Sequence, residues 1–371
     1  MAAEALRPPV LLVPDLALEA WRSMDRYARA LADRIPEAAV PDAALALRGS
    51  RYVARYVRYP RALRRYRPRL AHVTDHSYAH CLAAFPGTPS VVTIHDLHPL
   101  HVIAAGGWSP RAAVRNRLLR YTLDWTRRAD RWIAVSEFTA SEARSRLGLP
   151  AGRITVVPNG VSAEFGVRPP EAAVAERRDA WLAGAAGAAK RAQVVLHVGS
   201  CAPRKRVDTA IAAVGLLRAR GLEARFVQIG GRFGPSHRRA IAAAGLEPFV
   251  RQEPAASEAA LRAAYAAADV LLLPSAYEGF GLPALEAMAA GLPVVTSGAP
   301  ALRETVADAG IVVQPAEPAD LAATVERVLC DDALRQALVA AGRRRAAAMT
   351  WEHTAAGVRA VYAELGIGAG R

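Results

Sequence analysis

Residues 270–297 read VLLLPSAYEGFGLPALEAMAAGLPVVTS: an apolar run, a glycine-containing turn, an alanine-rich segment and a second apolar run. Short runs that are apolar throughout are typical of parallel strands covered on both faces. Gly279 and Gly281 permit a tight turn, and Pro283 suits the first turn of a helix because its missing N–H has no intrahelical partner there. The stretch therefore predicts a strand–turn–helix–strand unit, which is the repeating element of a doubly wound α/β sheet.

The same alternation runs along most of the 371 residues. Strands are predicted at 10–15, 70–75, 90–96, 131–136, 154–160, 193–200, 224–231, 270–275, 293–297 and 310–315. Helices are predicted near 22–34, 51–66, 110–128, 137–147, 206–220, 236–244, 257–268, 282–290 and 318–330. Apolar strands separated by helices predict two doubly wound domains with parallel sheets.

A chain of this length is longer than one hydrophobic core usually includes, so more than one domain is expected. The pattern of strands and helices divides the chain into four segments. An N-terminal Rossmann-like domain is predicted at 1–165 and a C-terminal one at 193–348. Residues 166–192 are predicted to form a linker, because they contain Pro169-Pro170 and several small residues but no strand signal. Residues 349–371 are predicted to be a C-terminal helix that packs back on the first domain.

Composition narrows the class of protein. Hydrophobic residues make up 52% of the chain, but no run of about 18 uncharged apolar residues predicts a membrane span. The acidic residues near the N-terminus and the early end of its apolar run favour a first strand over a signal peptide. The three cysteines are far apart and form no C-x-x-C pair, which suggests a reduced compartment without structural zinc. A cytoplasmic protein is expected.

The net charge of +14 comes almost wholly from arginine, because Lys190 and Lys205 are the only lysines. Such a charge favours anionic partners. Residues 48–70 are the densest in Arg and Tyr, and on a helix they place Arg51, Arg55 and Arg58 on one face and Val53, Tyr56 and Val57 on another. This pattern predicts peripheral contact with the inner face of an anionic membrane, with a solvated helix over a core stripe as the alternative. No recognised nucleic-acid module accompanies the charge, so no nucleic acid is expected.

The turn at 278–286 carries two carboxylates, Glu278 before the glycines and Glu286 inside the predicted helix. Carboxylates accept hydrogen bonds from vicinal hydroxyl groups, so the pair suits a sugar and a ribose. The alternative is that neither residue binds a ligand, and that Glu278 is an ordinary loop residue and Glu286 an ordinary residue of the first helical turn. The letters GFGLPA also match a dinucleotide fingerprint, G-x-G-x-x-A, but a dinucleotide site is disfavoured because the turn does not follow the first strand of its domain and no acidic residue ends a next strand about 20 residues on.

The segment HVGSCAPRKRVD, residues 197–208, follows the first strand of the second half. Its Gly199-Ser200 turn precedes the three cations Arg204, Lys205 and Arg206. Arginine and lysine bind a diphosphate, and lysine is otherwise almost unused in this chain. A solvated basic turn is the alternative. No P-loop motif is present.

Together, HVGSCAPRKR and EGFGLPALEAMAAGLPVV resemble the retaining GT-B glycosyltransferases of family 4. The resemblance continues through residues 134–161 and 263–275, and more weakly through HDL at 95–97 and TWEHTAAGVRAVY at 350–362. It implies the GT-B fold, in which two Rossmann-like domains face a central cleft. The second domain would hold a nucleotide-diphosphate sugar.

The resemblance also implies residue roles. Arg204 and Lys205 would stabilise the leaving diphosphate, Glu278 would contact the donor sugar, and Glu286 would hold the ribose. His95 would lie near the reacting sugar and count with Glu278, Arg204 and Lys205 as catalytic, although a histidine after a strand is often structural. The implied donor-binding residues are Gly199, Arg204, Lys205, Glu278, Gly279, Phe280, Gly281, Leu282 and Glu286.

The implied reaction is transfer of a hexosyl group to a hydroxyl of a glycan or lipid-linked acceptor with retention of configuration. GDP-mannose is favoured over a UDP-sugar as donor, and no cofactor is expected. No D-x-D occurs, which favours a mechanism without a metal. The alternatives are another GT-B enzyme, such as a synthase or nucleotide-sugar epimerase, and a catalytically silent sugar-nucleotide-binding protein.

One departure from the family pattern concerns the first loop. Family members often have a glycine-rich turn after the first strand, but this chain has no glycine between residues 10 and 48. Arg22, Ser23 and Arg26 would be substitutes, with an ordinary surface helix start as the alternative. The sequence thus leaves open what lines the acceptor side.

Overall fold

The computed structural model describes residues 6–19, 22–42, 44, 47, 49–104, 109–183 and 192–367. Arg48 of the basic segment, Lys190 and residues 184–191 of the predicted linker lie outside the described residues, as does the side chain of Arg22. The chain divides into two compact units. Unit 1 comprises Met1–Gly160 and Trp351–Arg371, and unit 2 comprises Val161–Thr350.

Unit 1 is built on a parallel six-stranded sheet with the order β2-β1-β3-β4-β5-β6. Its strands are β1 Val10–Val13, β2 Ala38–Ala39, β3 Leu70–Val73, β4 Ser90–Ile94, β5 Arg131–Ala134 and β6 Ile154–Val156. Its α-helices are Arg22–Ala32, Arg51–Val53, Tyr59–Leu63, His98–Ala104, Pro110–Thr126, Glu137–Leu147 and Trp351–Glu364, with a π-helical turn at Ala54–Arg58 and a 3₁₀ segment at His76–Ala84. Apolar side chains of the strands, of the segment His76–Ala84 and of the helices Tyr59–Leu63, Pro110–Thr126 and Glu137–Leu147 form a buried core.

Unit 2 repeats the architecture with the order β12-β11-β10-β7-β8-β9, again parallel throughout. Its strands are β7 Gln193–Val198, β8 Ala224–Ile229, β9 Val250–Glu253, β10 Val270–Leu273, β11 Val294–Ser297 and β12 Ile311–Val313. Its α-helices are Glu171–Leu182, Val207–Ala219, Pro235–Ala243, Glu258–Ala267, Leu282–Ala290, Pro300–Val306, Pro318–Cys330 and Asp332–Ala348. A second core lies between the sheet and its helices.

The predicted fold class, two doubly wound parallel sheets, is confirmed. Two strands were not predicted from the sequence. β2 has only two residues, and β9 contains Arg251, Gln252 and Glu253, so neither shows the apolar run of a strand covered on both faces. The segment predicted as a linker contains the helix Glu171–Leu182 within unit 2. The predicted domain boundaries stay a prediction.

The orientation predicted for the basic segment is wrong. Arg55 points inward: its guanidinium lies 3.4 Å from the Oε1 atom of the buried Glu19 and over the ring of Tyr78, whereas Val53 and Val57 are exposed. The π-helical turn at Ala54–Arg58 departs from the regular helical spacing on which the prediction relied. A buried carboxylate such as Glu19 needs a cation or hydrogen-bond donors beside it. Leaving it unpaired would cost more free energy than exposing Val53 and Val57 to water.

Arg55 is therefore expected to matter far more for stability than Arg51, which also approaches Glu19 but is half exposed. Arg55→Gln removes the cation beside a buried carboxylate and should lower the free energy of unfolding by about 3 kcal/mol. Arg51→Gln should cost less than about 1 kcal/mol. Urea denaturation measures both, and equal losses would contradict the inward role of Arg55.

Among the described residues, no helix is long and apolar enough to cross a membrane.

Candidate functional site

The second sheet reverses its strand order between β7 and β10, which are neighbours although β8 and β9 come between them in the chain. From β7 the chain continues toward one edge of the sheet, and from β10 it continues toward the other edge. A crevice therefore opens beyond the carboxyl ends of these two strands. The loop 199–206 follows β7, and the loop 274–281 follows β10. The backbone N–H of Ala276 donates to the carbonyl of Arg204 at 2.7 Å, which joins the two loops.

These loops bring together one carboxylate and two cations. Lys205 Nζ donates to Glu278 Oε1 at 2.5 Å, and Arg204 Nη1 donates to Glu278 Oε2 at 3.3 Å. Ser275 Oγ donates to Glu278 Oε1 at 2.8 Å, and Arg204 also donates to the carbonyl of Tyr277. Each oxygen of Glu278 therefore has a cationic donor, and all three charged groups are held in place by hydrogen bonds.

Glu278 is ionised in this cluster. Burial alone would raise its pKa, but the nearby charges of Lys205 and Arg204 and the hydrogen bonds from Lys205 and Ser275 hold the pKa below its usual range. The Lys205 side chain is only 12% exposed, so its charge is poorly screened by water. The cluster is thus a compact, buried set of fixed charges at the switch point of the sheet.

The backbone of the loop 274–281 adopts a tight turn that favours glycine at position 281. Gly281 has a φ of +112° and precedes the helix Leu282–Ala290, whose N-terminal N–H groups face the loop. A Cβ on Gly281 would lie 2.6 Å from the end of the Leu302 side chain, so a larger residue would require a strained backbone and a shift of Leu302. Thr305 Oγ1 donates to the carbonyl of Phe280 and fixes the turn.

Glu286 lies inside this helix and is buried. Its Oε2 atom accepts a hydrogen bond of 2.8 Å from the hydroxyl of Tyr265, which comes from the helix Glu258–Ala267. This hydrogen bond fixes the orientation of the Glu286 carboxylate. Tyr265 and Ser275 were not predicted, because neither the type nor the spacing of these residues signals a contact with a distant glutamate.

His95, the remaining predicted catalytic residue, lies in unit 1 directly after β4. Its Nε2–H donates to the carbonyl of Thr74 at 2.8 Å, and its ring packs edge-on against Tyr27. Burial lowers the pKa of His95, so the imidazole is neutral and its Nδ1 atom carries a lone pair. Within the described part of the chain, no hydrogen-bond partner lies at this buried Nδ1 atom.

Two further acidic residues lie at the switch point of the first sheet, where β1 and β3 are neighbours and β2 lies on the other side of β1. Asp15 follows β1 and Asp75 follows β3, both only 4% exposed. The two carboxyl groups are close enough for the negative charge of Asp75 to act on Asp15. Sequence reasoning missed this pair, because it arises from the strand order and not from chain spacing.

Their surroundings shift the pKa values of the two carboxyl groups in opposite directions. Burial and the charge of Asp75 raise the pKa of Asp15 well above its usual range. Burial alone would also raise the pKa of Asp75, but His76, at 3.0 Å, and the Ser77 N–H hold that pKa below its usual range. The charged groups that act on Asp15 are Asp75, Arg55 and Asp25.

Stability should depend on pH through Asp15. Folding raises its pKa, so its contribution to the free energy of unfolding is fully present below about pH 4 and is lost as pH rises through the folded-state pKa. Asp15→Asn replaces the carboxyl group by a neutral amide of similar size, so this loss does not occur in the variant. The melting temperature of the variant relative to wild type should therefore rise between about pH 5 and pH 8.

Differential scanning fluorimetry across this range measures the effect. Asp33→Asn, at an exposed position, is the matched control and should show a constant difference. A flat profile for Asp15→Asn would show that Asp15 is ionised in the folded protein.

The structure thus brings Arg204, Lys205 and Glu278 into direct contact and places Glu286 on the adjoining helix, whereas His95 belongs to the other unit. Among the described residues, no group of three or more His, Cys, Asp or Glu side chains is arranged to hold a metal ion.

Two family models match the chain. The model described as glycosyl transferases group 1 matches residues 184–345, and the model described as glycosyltransferase family 4 matches residues 17–165. Both matches together extend over most of the two units.

Named relatives agree with these models. A D-inositol 3-phosphate glycosyltransferase of Salinispora arenicola is 36% identical over 64% of this chain and 55% of its own length. An MMP alpha-(1->4)-mannosyltransferase of Mycolicibacterium hassiacum is 31% identical over 74% of this chain and 65% of its own length. The chain thus spans 55 to 65% of the length of the first curated relatives that it matches.

Solved structures show the same fold at low identity. The Anabaena protein HepE, solved in complex with UDP-glucose, superposes with a TM-score of 0.73 at 18% identity and covers 97% of this chain and 99% of its own.

Proposed function

Because the chain belongs to the group 1 glycosyltransferases, with a family 4 domain in its first half, we propose that it transfers a hexosyl group from a nucleotide-diphosphate sugar to a hydroxyl acceptor. The observation that carries the proposal is the buried contact of Lys205 and Arg204 with Glu278 at the switch point of the second sheet. Two cations suit the diphosphate, and the carboxylate suits hydroxyl groups of the sugar.

The proposed chemistry follows from charge. Breaking the bond between the anomeric carbon and the diphosphate develops positive charge on the sugar and negative charge on the leaving phosphate. Lys205 and Arg204 are already held by Glu278, which also accepts a hydrogen bond from Ser275, so the two cations stabilise the leaving group with little reorganisation. Glu286, oriented by Tyr265, would accept hydrogen bonds from the ribose. Transfer with retention of configuration, with His95 beside the reacting sugar, is part of this proposal.

The donor is proposed to be GDP-mannose or a UDP-sugar, with mannose favoured. A mannosyltransferase is among the relatives, which supports mannose, whereas HepE was solved with UDP-glucose, which supports a uridine nucleotide. A melting-temperature screen with GDP-, UDP- and ADP-sugars would identify the base. The alternatives are another reaction on a nucleotide-sugar, by a synthase or an epimerase, and a catalytically silent binding protein. A transfer assay that detects the glycosylated acceptor separates all of these from the proposed reaction.

Lys205 should be essential for binding the diphosphate. Lys205→Ala removes the least exposed cation of the cluster, and we expect the affinity for GDP or UDP to fall about tenfold or more and transfer to be lost. Isothermal titration calorimetry measures the affinity. Arg220→Ala, which breaks a surface ion pair with Glu326, is the charge-matched control and should bind normally. If the Lys205→Ala variant and wild type bind GDP or UDP with equal affinity, the diphosphate does not bind at this site.

The proposed reaction does not need a divalent ion, because Lys205 and Arg204 supply the positive charge at the leaving group. We expect the transfer rate in excess EDTA to stay within about twofold of the rate with added Mg²⁺. A rate that vanishes with EDTA and returns with Mg²⁺ would contradict this part of the proposal.

We further propose peripheral contact with an anionic membrane, carried by the distribution of charge. Residues 48–74 contain nine arginines and residues 97–123 contain four, and neither stretch contains an acidic residue. These two stretches thus account for thirteen of the fourteen net positive charges of the chain. The charge is therefore concentrated in unit 1 and not a uniform property of the composition.

Both stretches include helices that pack on the segment His76–Ala84. The rings of Tyr56 and Tyr121 lie on His80, at centroid distances of 4.7 and 6.3 Å. Large apolar side chains are exposed on the same helices, namely Tyr52, Val53, Val57, Val114 and Tyr121. Arginines beside exposed valines and tyrosines suit the headgroup region of an anionic bilayer, at about 1 kcal/mol for each arginine near the surface.

Co-sedimentation with liposomes tests this contact. Replacing Arg58, Arg61 and Arg64 by Gln should reduce binding to phosphatidylglycerol vesicles at least tenfold, whereas wild type should ignore phosphatidylcholine vesicles. The control removes three exposed arginines of unit 2, by the changes Arg232→Gln, Arg239→Gln and Arg327→Gln. Equal losses for the two triple variants would indicate unspecific attraction and contradict a membrane-facing surface.

A further inference from the structure

A row of polar side chains crosses three neighbouring strands of unit 2 beside the loop 199–206. His197 in β7 is the register partner of Gln228 in β8, which in turn is the register partner of Gln252 in β9. Register partners share a face of the sheet, so the three side chains lie side by side at the carboxyl ends of their strands. The residues two positions earlier in these strands are apolar and form or contact the core of unit 2.

Hydrogen bonds join the two glutamines to the backbone at both ends. Gln228 Nε2 donates to the carbonyl of Gly199 at 2.6 Å, and Gln228 Oε1 accepts from Gln252 Nε2 at 3.2 Å. Gln252 Oε1 accepts from the backbone N–H of Phe233 at 3.1 Å. A backbone carbonyl only accepts and a backbone N–H only donates, so the orientation of both amide groups is fixed from the two ends.

The carbonyl that Gln228 holds belongs to the residue beside which Lys205 packs. Gly199 has a φ of +148°, and a Cβ on it would lie 3.8 Å from Cε and 3.9 Å from Nζ of Lys205. The ammonium group that donates to Glu278 is therefore close to the backbone of Gly199. The position of Gly199 thus determines the surface on which the Lys205 side chain rests.

His197 also reaches Gly199, but it does not hold the loop by hydrogen bonds. Its Cε1 atom would lie 3.5 Å from a Cβ on Gly199, and both ring nitrogens are buried without a hydrogen-bond partner among the described residues. Burial and the charge of Lys205 lower the pKa of His197 to about 3, so the ring is neutral and adds no charge beside Lys205. Of the three polar side chains, Gln228 is thus the one that bonds Gly199.

The other end of the hydrogen-bond chain lies in the loop 230–234, whose backbone packs directly on the loop 199–206. A Cβ on Gly231 would lie 2.5 Å from the backbone N of Cys201, so only glycine permits this contact without a shift of the backbone. The Gln252 side chain also approaches the Cys201 Sγ atom, at 3.9 Å from its Nε2. The two glutamines therefore join two loops that are already in close contact.

Resting on the proposed donor site, we propose that Gln228 and Gln252 are positioning residues for glycosyl transfer. They hold the carbonyl of Gly199 and thereby keep the Lys205 ammonium in place for the diphosphate, and they act through the loop and not on the reacting atoms. An amide suits position 228 because it donates to the carbonyl and accepts from Gln252 at the same time. A carboxylate there would only accept hydrogen bonds.

Calorimetry with GDP or UDP on the full-length chain tests the inference. Gln228→Met keeps the length of the side chain but removes its hydrogen bonds, so nucleotide binding should weaken about fivefold, and Gln252→Met should weaken it about threefold. Gln336→Met, the same change at an exposed position of the helix Asp332–Ala348, is the control and should bind as wild type does. Wild-type affinity of the Gln228→Met variant would overturn the inference.

A conservative variant separates the hydrogen bond from the packing. Gln228→His places a ring N–H near the position of the amide nitrogen, so its affinity should return to within about twofold of wild type. Equal losses for Gln228→His and Gln228→Met would overturn a role of the hydrogen bond. Gln252 is exposed, so Gln252→Met gives a folded variant even where changes at the buried position 228 prevent folding. Wild-type affinity of that variant would remove Gln252 from the assignment.

Double-mutant cycles test whether the glutamines act through Lys205. In the Lys205→Ala variant no ammonium is left to position, so adding Gln228→Met should cause no further loss of affinity. Gln252→Met should likewise add nothing to Gln228→Met. Additive losses in either cycle would indicate a general loosening of unit 2 and would overturn the positioning role.

Failure of this inference is distinguishable from failure of the proposed function. If wild type binds neither GDP nor UDP, the donor site itself is refuted. If wild type binds the nucleotide and the glutamine variants bind it equally well, only the positioning role is refuted.

Discussion

The reversal of strand order inside each parallel sheet is the constraint on which the rest of the structure depends. The connection between two parallel strands must pass over one face of the sheet. Where the chain leaves two adjacent strands toward opposite edges of the sheet, the loops that follow these strands diverge and leave a crevice between them. In the second sheet this happens between β7 and β10, and in the first between β1 and β3. The charged clusters of both units lie at these two points.

The two clusters differ in chemistry although their backbone setting is the same. In unit 2, Lys205 and Arg204 surround one ionised carboxylate, so positive charge exceeds negative charge. In unit 1, two buried carboxyl groups follow β1 and β3, and burial together with the charge of Asp75 raises the pKa of Asp15. The crevice of unit 2 therefore carries an excess of positive charge, whereas that of unit 1 carries two carboxyl groups.

The fold was predictable from the sequence because apolar strands and amphipathic helices leave a periodic signal that survives tertiary packing, as in 270–297. That Lys205 and Glu278 belong to one site was expected only through the family resemblance, since 73 residues separate them, and their direct contact was not predicted. The inward turn of Arg55 left no signal at all. Arg55 turns inward because it pairs with Glu19, whose carboxylate is buried by the packing of the helices on the sheet. The residues around position 55 carry no local pattern from which this pairing could be predicted.

Unit 2 is inserted into unit 1, and its ends meet where Val161 pairs with Thr350. The helix Trp351–Glu364 then returns to unit 1, where the Tyr362 hydroxyl lies 2.6 Å from His72 in β3 and Arg359 bonds Glu37. On the ribosome, unit 2 is therefore a contiguous piece that completes its fold first. Unit 1, although most of it is made earlier, keeps an open side of its core until the last helix has been synthesised.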